Sequence, residues 1–94
     1  MSATATGKKV TTAHRTLTDT SAEIVEMLER NPDVTKIALG TISHTRGGRR
    51  DLKFHPITGG TKVAVRGDGA VHDLYVYTHN PQGVEQALRE SFEK

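Results

Sequence analysis

The sequence predicts an α+β domain of order α-ββββ-α, in which a four-stranded antiparallel meander carries two helices on one face. Three observations lead there. Apolar residues recur at helical spacing towards both ends of the chain, as Ile24, Val25 and Leu28 and again as Val84, Ala87, Leu88 and Phe92. Between residues 34 and 78 the period drops to two, the spacing of a strand with one buried face. Glycine clusters interrupt that stretch three times, at Gly47-Gly48, Gly59-Gly60 and Gly67-Asp68-Gly69, where hairpin turns cost least.

Residues 1–12 are rich in Ser, Thr, Ala and Lys without periodicity and are expected to form a flexible N-terminal tail, leaving 13–94 as a single domain. Thr20-Ser21-Ala22-Glu23 matches a capping box, in which the hydroxyl and the carboxylate satisfy free N–H groups at a helix start. Glu23, Glu26 and Glu29 then face water, and Asn31-Pro32-Asp33 stops the helix because proline cannot continue its hydrogen-bond ladder. Strands are expected at 35–42, 50–55, 61–66 and 71–78, joined by successive hairpins. Asn80-Pro81 reads as an N-cap followed by proline at the first helical position. Two amphipathic helices and one sheet must bury their apolar faces together, which puts both helices on one side. Alternation then points Ile37, Leu39, Leu52, Phe54, Val63, Val65, Leu74 and Val76 inward. Lys36, Lys53, His55, Lys62, Arg66, Asp73, Tyr75 and Tyr77 point out on the open face.

A chain of 94 residues holds one hydrophobic core and seldom two. Its 34% apolar and 26% charged residues belong to a folded, soluble domain, although four aromatics keep the core modest. No cysteine is present, which excludes disulfides, thiolate metal sites and cysteine nucleophiles. No apolar run approaches the roughly 18 residues of a membrane span, and no signal peptide is recognisable, so a cytoplasmic location away from membranes is expected. The net charge of +2 hides a strong alternation: residues 1–18 carry +3, 19–33 carry −4, 34–67 carry +6 and 68–94 carry −3. A basic middle between acidic flanks creates a field that attracts an anionic partner.

The leading functional expectation is a platform for RNA or another single-stranded nucleic acid. Lys36, Lys53, Lys62 and Arg66 can track phosphates, Tyr75 and Tyr77 can stack on unpaired bases, and Arg46, Arg49 and Arg50 form a basic loop able to reach a backbone. The alternative is a divalent cation such as zinc held by histidine and carboxylate, with His14, Asp19, His55 and His79 as ligands. None of the five histidines stands in a close motif, and one strand separates those of His55 and His79, about 9.6 Å across two inter-strand spacings. A third class is a protein-interaction or homodimerisation module using a free edge of strand one or strand four. Hydroxyls and carboxylates are present, but no nucleophile, base and orienting group stand at recognisable offsets, so the chain reads as a binding module that needs no cofactor. Gly67-Asp68-Gly69 lacks the following helix and lysine of a phosphate loop and reads as a turn.

His14-Arg15-Thr16-Leu17-Thr18-Asp19-Thr20, Val34-Thr35-Lys36-Ile37-Ala38-Leu39-Gly40 and Lys62-Val63-Ala64-Val65-Arg66-Gly67-Asp68-Gly69 together resemble an uncharacterised prokaryotic family of small proteins often labelled predicted metal-binding. The resemblance covers residues 14–78. It implies His14, with Asp19 nearby, as a ligand candidate and carries no reaction with it.

Overall fold

The computed structural model describes residues 17–92 apart from 48, so the tail assigned to 1–12, the domain start at 13 and His14 lie outside the described residues. Helix α1 (Asp19–Glu29) is followed by strands β1 (Val34–His44), β2 (Asp51–Ile57), β3 (Gly60–Gly67) and β4 (Ala70–Thr78), and by helix α2 (Pro81–Phe92). The four strands form one antiparallel sheet in the order β1-β4-β3-β2. This is the expected α-ββββ-α architecture, with one difference of strand order. β2, β3 and β4 make the hairpin-linked meander, whereas β1 pairs with β4 instead of β2, which gives a Greek-key order. Strand four is thus paired on both sides, and the free edges belong to β1 and β2.

The reason lies in Pro56. It sits inside β2 opposite Thr61 of β3, and without an N–H it cannot serve a ladder on its other side, so β2 belongs at an edge. The expected second strand stopped at residue 55 and missed this signal. The chain leaves β1 beside the β3–β4 turn, where the Thr45 N–H donates to the Gly69 carbonyl at 2.9 Å.

One apolar cluster joins both helices to one sheet face: Ile24, Val25 and Leu28 of α1 and Val84 and Leu88 of α2 pack with Val34, Ile37, Leu52, Val63, Val65, Leu74 and Val76. All are buried, while Leu39, Phe54 and Phe92, which were expected fully inside, are partly buried at its margin. At about 25 cal/mol per Å² of apolar area, burial of such side chains is the main favourable term for the fold.

Helix α1 starts earlier than the Thr20 capping box implies. Thr18 is the N-cap, its hydroxyl accepting from the Ser21 N–H at 3.2 Å. Thr20 is buried, and its N–H donates to the Asp68 carboxylate at 2.9 Å. The β3–β4 turn therefore supplies an anion to the positive end of α1. Asp68 and Gly69 have φ of 57° and 77°, the left-handed pair of a two-residue hairpin turn. Gly67 permits the approach, since a Cβ there would lie 2.6 Å from the Thr20 hydroxyl oxygen. At the other end of the sheet the expected Asn80 cap is present: its side chain accepts from the Gly83 N–H at 3.2 Å, and the Thr78 hydroxyl donates to the Asp33 carbonyl.

The Thr20 N–H, and then the Thr20 hydroxyl, hold the Asp68 carboxyl below the ordinary carboxylate range. A group depressed in this way contributes stability that is present above its unfolded pKa, about 3.9, and is lost as pH falls through its folded value. Thermal unfolding between pH 2 and 6 should therefore show a stability difference between wild type and Asp68→Asn at pH 6 that shrinks below about pH 4. Asparagine tolerates the left-handed backbone, so the variant isolates the charge. Gly67→Ala should cost about 1–3 kcal/mol by forcing Thr20 away, measured by denaturant unfolding.

Candidate nucleic-acid interface

The sheet face away from the helices is assembled row by row from the strand register. Lys36, Tyr77 and Gly60 are aligned across β1, β4 and β3, and the next row is Ala38, Tyr75, Lys62 and His55. A third row places Asp73, Ala64 and Lys53 side by side, and a fourth Ser43, Val71, Arg66 and Asp51. Both tyrosines thus lie on the inner strand β4, about 6.6 Å apart along it, two residues at the strand rise. One cross-strand neighbour of each is small, Ala38 beside Tyr75 and Gly60 beside Tyr77. At Gly40 a Cβ would fall 2.6 Å from the Tyr75 ring, and the Gly40-Thr41 stretch is where β1 bulges against Asp73. Both tyrosines are half-buried and lie on the face away from the helices.

Basic side chains frame the rings. The Lys36 ammonium stands 5.7 Å from the centre of the Tyr77 ring, a cation–π distance. Lys62 is opposite Tyr75 in the register, and Lys53 is exposed on the β2 edge. Arg66 faces Asp51 across β3 and β2. Asp73 accepts from the Thr41 hydroxyl at 3.2 Å and is the acid nearest the tyrosines in the register.

The basic loop is divided. Arg46 and Arg49 are exposed at the end of the sheet where β1 finishes. Arg50 instead turns to the helix side: it bonds Glu23 of α1 at 2.9 Å and lies 4.6 Å from the centre of the Phe92 ring of α2. Its role is to clasp the two helices to the entry of β2, and it does not join the open face. Alternation agrees with this placement, because residue 50 has the parity of inward Leu52 and Phe54, although its partners are distant in the chain.

The metal candidates are dispersed. Asp19 opens α1 at the Asp68 end of the sheet, and His55 is exposed on the open face of β2. His79 follows β4 at the opposite end from Asp19, 3.6 Å from the Asp33 carboxylate. Among the described residues no three His, Asp or Glu side chains gather closely enough to hold an ion.

His72 was not a sequence candidate for any site, yet it is the one histidine buried among the described residues. It lies on the helix side of β4, between Val65 of β3 and Ile42 of β1, and its Nδ1 has no hydrogen-bond partner. The signal was available, since residues 72, 74 and 76 share a face.

Comparison with models of protein families, with curated proteins and with solved structures yields no match to this chain. The resemblance to the small-protein family therefore rests on the quoted residues alone.

Burial lowers the His72 pKa, against a smaller opposing effect of Asp73. The folded state thus favours neutral imidazole, so stability is fully present above the unfolded value of about 6.5 and falls as pH drops below it. His72→Leu should flatten the pH dependence of the unfolding midpoint between pH 5 and 7. A slope unchanged by the substitution would assign that dependence elsewhere.

Proposed function

We propose that the protein is a non-catalytic module that binds RNA or another single-stranded nucleic acid on the open sheet face. The observation that carries this reading is the pair Tyr75 and Tyr77 on inner strand β4, uncovered by any helix and flanked by Lys36 and Lys62. Two rings at this spacing match successive splayed bases, and stacking is tolerant of sequence because every base has a π-face. Lys53 and Arg66 extend the basic frame towards exposed Arg46 and Arg49, which lie beside the start of β4, at the other end of that strand from the rings. We place this activity in the cytoplasm. Duplex is a poor fit, since its bases offer no exposed face to a flat sheet.

The test is binding of fluorescent single-stranded RNA and DNA oligonucleotides across a salt series. Tyr77→Ala should cost about 1–3 kcal/mol for single strands and little for duplex. Lys62→Ala should weaken all sequences alike and reduce the magnitude of the salt slope by about one phosphate contact. Arg50→Ala should leave affinity nearly unchanged while lowering stability by at most about 1 kcal/mol, the worth of an exposed ion pair. Absence of single-strand binding by the wild type at about 50 mM salt would sink the reading, since even non-specific attraction appears there.

A further inference from the structure

The sheet has two edges, and they are built differently. β2 is blunted by Pro56 and carries Asp51 and Lys53 in seven residues, the devices that keep an edge from pairing. β1 runs for eleven residues without proline, and its only fixed charge is Lys36 near its start. A bulge at Gly40-Thr41 separates that charged half from the stretch Thr41-Ile42-Ser43-His44, all four exposed. Residues 39–45 contain no Lys, Arg, Asp or Glu.

Ile42 is the anomaly in this stretch. It is the one large hydrophobic residue exposed among those described, at 42%. Its register partner is buried His72, so it faces the helix side of the sheet, where the β4 residues beside it are buried while Ile42 and His44 stay exposed. Helix α1 begins over Gly67 of β3 and leaves this corner open. A β-branched residue in a strand flanked by threonine and serine is suited to pairing with another strand.

We infer that this segment of β1 is a homodimerisation edge, at which a second copy of the chain adds antiparallel to form a continuous eight-stranded sheet. The register the side chains favour puts the two-fold axis at Ile42. Ile42 then meets Ile42 of the second copy on the helix side, and Thr41 lies opposite Ser43 on each side of the axis. No fixed charge faces a like charge in that register, because Lys36 lies beyond the paired segment. An edge pairing of this length buries less than the roughly 1,200 Å² of a standard interface, so the dimer forms and dissociates with concentration. A two-fold axis normal to the sheet keeps both open faces on one side. The two β4 strands then stand three inter-strand spacings apart, about 14 Å. The inference concerns the edge and stands independently of what the open face binds.

The experiment is done without nucleic acid. Sedimentation of the wild type over a concentration series should show the mass rising from 10.2 kDa towards twice that value. Ile42→Lys, which sets two ammonium groups against each other at the axis, should stay monomeric with an unchanged circular dichroism spectrum. The chain has no cysteine, so Ile42→Cys provides a direct geometric readout. Facing residues of an antiparallel pair have Cα atoms about 4.5–5.5 Å apart, within disulfide range. On mild oxidation Ile42→Cys should become a covalent dimer, and His55→Cys on the other edge should not. A wild type that stays monomeric at millimolar concentration, a dimer indifferent to Ile42→Lys, or cross-linking as efficient through His55→Cys would each overturn the proposal. Dimerisation by a protein that binds no oligonucleotide would leave it intact while removing the nucleic-acid reading.

Discussion

Proline has no N–H to give, and in this chain one proline sets the order of the sheet. Pro56 can belong to β2 only if the side of the strand away from β3 needs no ladder, which makes β2 an edge. A simple meander would have enclosed β2 between β1 and β3. With that closed off, β1 takes the free side of β4, and β4 becomes an inner strand. Its clean alternation of buried and half-buried residues suits that place. Tyr75 and Tyr77 reach the middle of the open face for this reason. Had β4 been an edge, both rings would have stood at the rim.

Bringing β1 beside β4 has a structural consequence at the end of the sheet. The chain leaves β1 beside the β3–β4 turn, and that turn is tied twice, by the Thr45 N–H to Gly69 and by Asp68 to the first turn of α1. One two-residue turn thus fixes the chain where it leaves β1 and the start of a helix. Arg50 closes the same corner from the other side by joining Glu23 to Phe92. The corner is held by polar contacts of modest individual worth, and the apolar cluster beneath both helices supplies the larger share of stability.

Local features of the fold were legible in the sequence wherever one residue type has one inexpensive conformation. Asp68-Gly69 gives a left-handed turn, Asn80-Pro81 a helix start, and the alternation through β3 and β4 a buried face. The strand order was less legible, since every hairpin-compatible turn suggests a neighbour and only Pro56 argues against one. The candidate site follows the same division. Lys36, Lys53, Lys62, Arg66, Tyr75 and Tyr77 share a face because strand periodicity places them there. Arg50 goes to the helix side with the parity of Leu52 and Phe54, in spite of its place at the end of the basic loop. Thr20 took a buried role in place of a cap because the vacancy at Gly67 is a tertiary feature. His72 has the inward parity of Leu74 and Val76, and its burial follows from the strand period alone.

The alternation of charge along the chain becomes an asymmetry between layers. The acidic stretch 19–33 folds mainly into α1, with Glu23, Glu26 and Glu29, and the acidic end of the chain into β4 and α2, with Glu85 and Glu90 on the helix, while the basic middle becomes β1, β2 and β3. The helix layer is negative on its outer surface and the open sheet face is positive around its tyrosines. On the proposed nucleic-acid reading, an anionic polymer approaching from solution would be oriented before any contact forms, repelled by one layer and drawn to the other. Asp73, set among those cations, marks where a phosphate would be least welcome and leaves the backbone to run along the lysines. On that proposed reading electrostatics would select the face, and the rings on β4 would decide whether unpaired bases can use it.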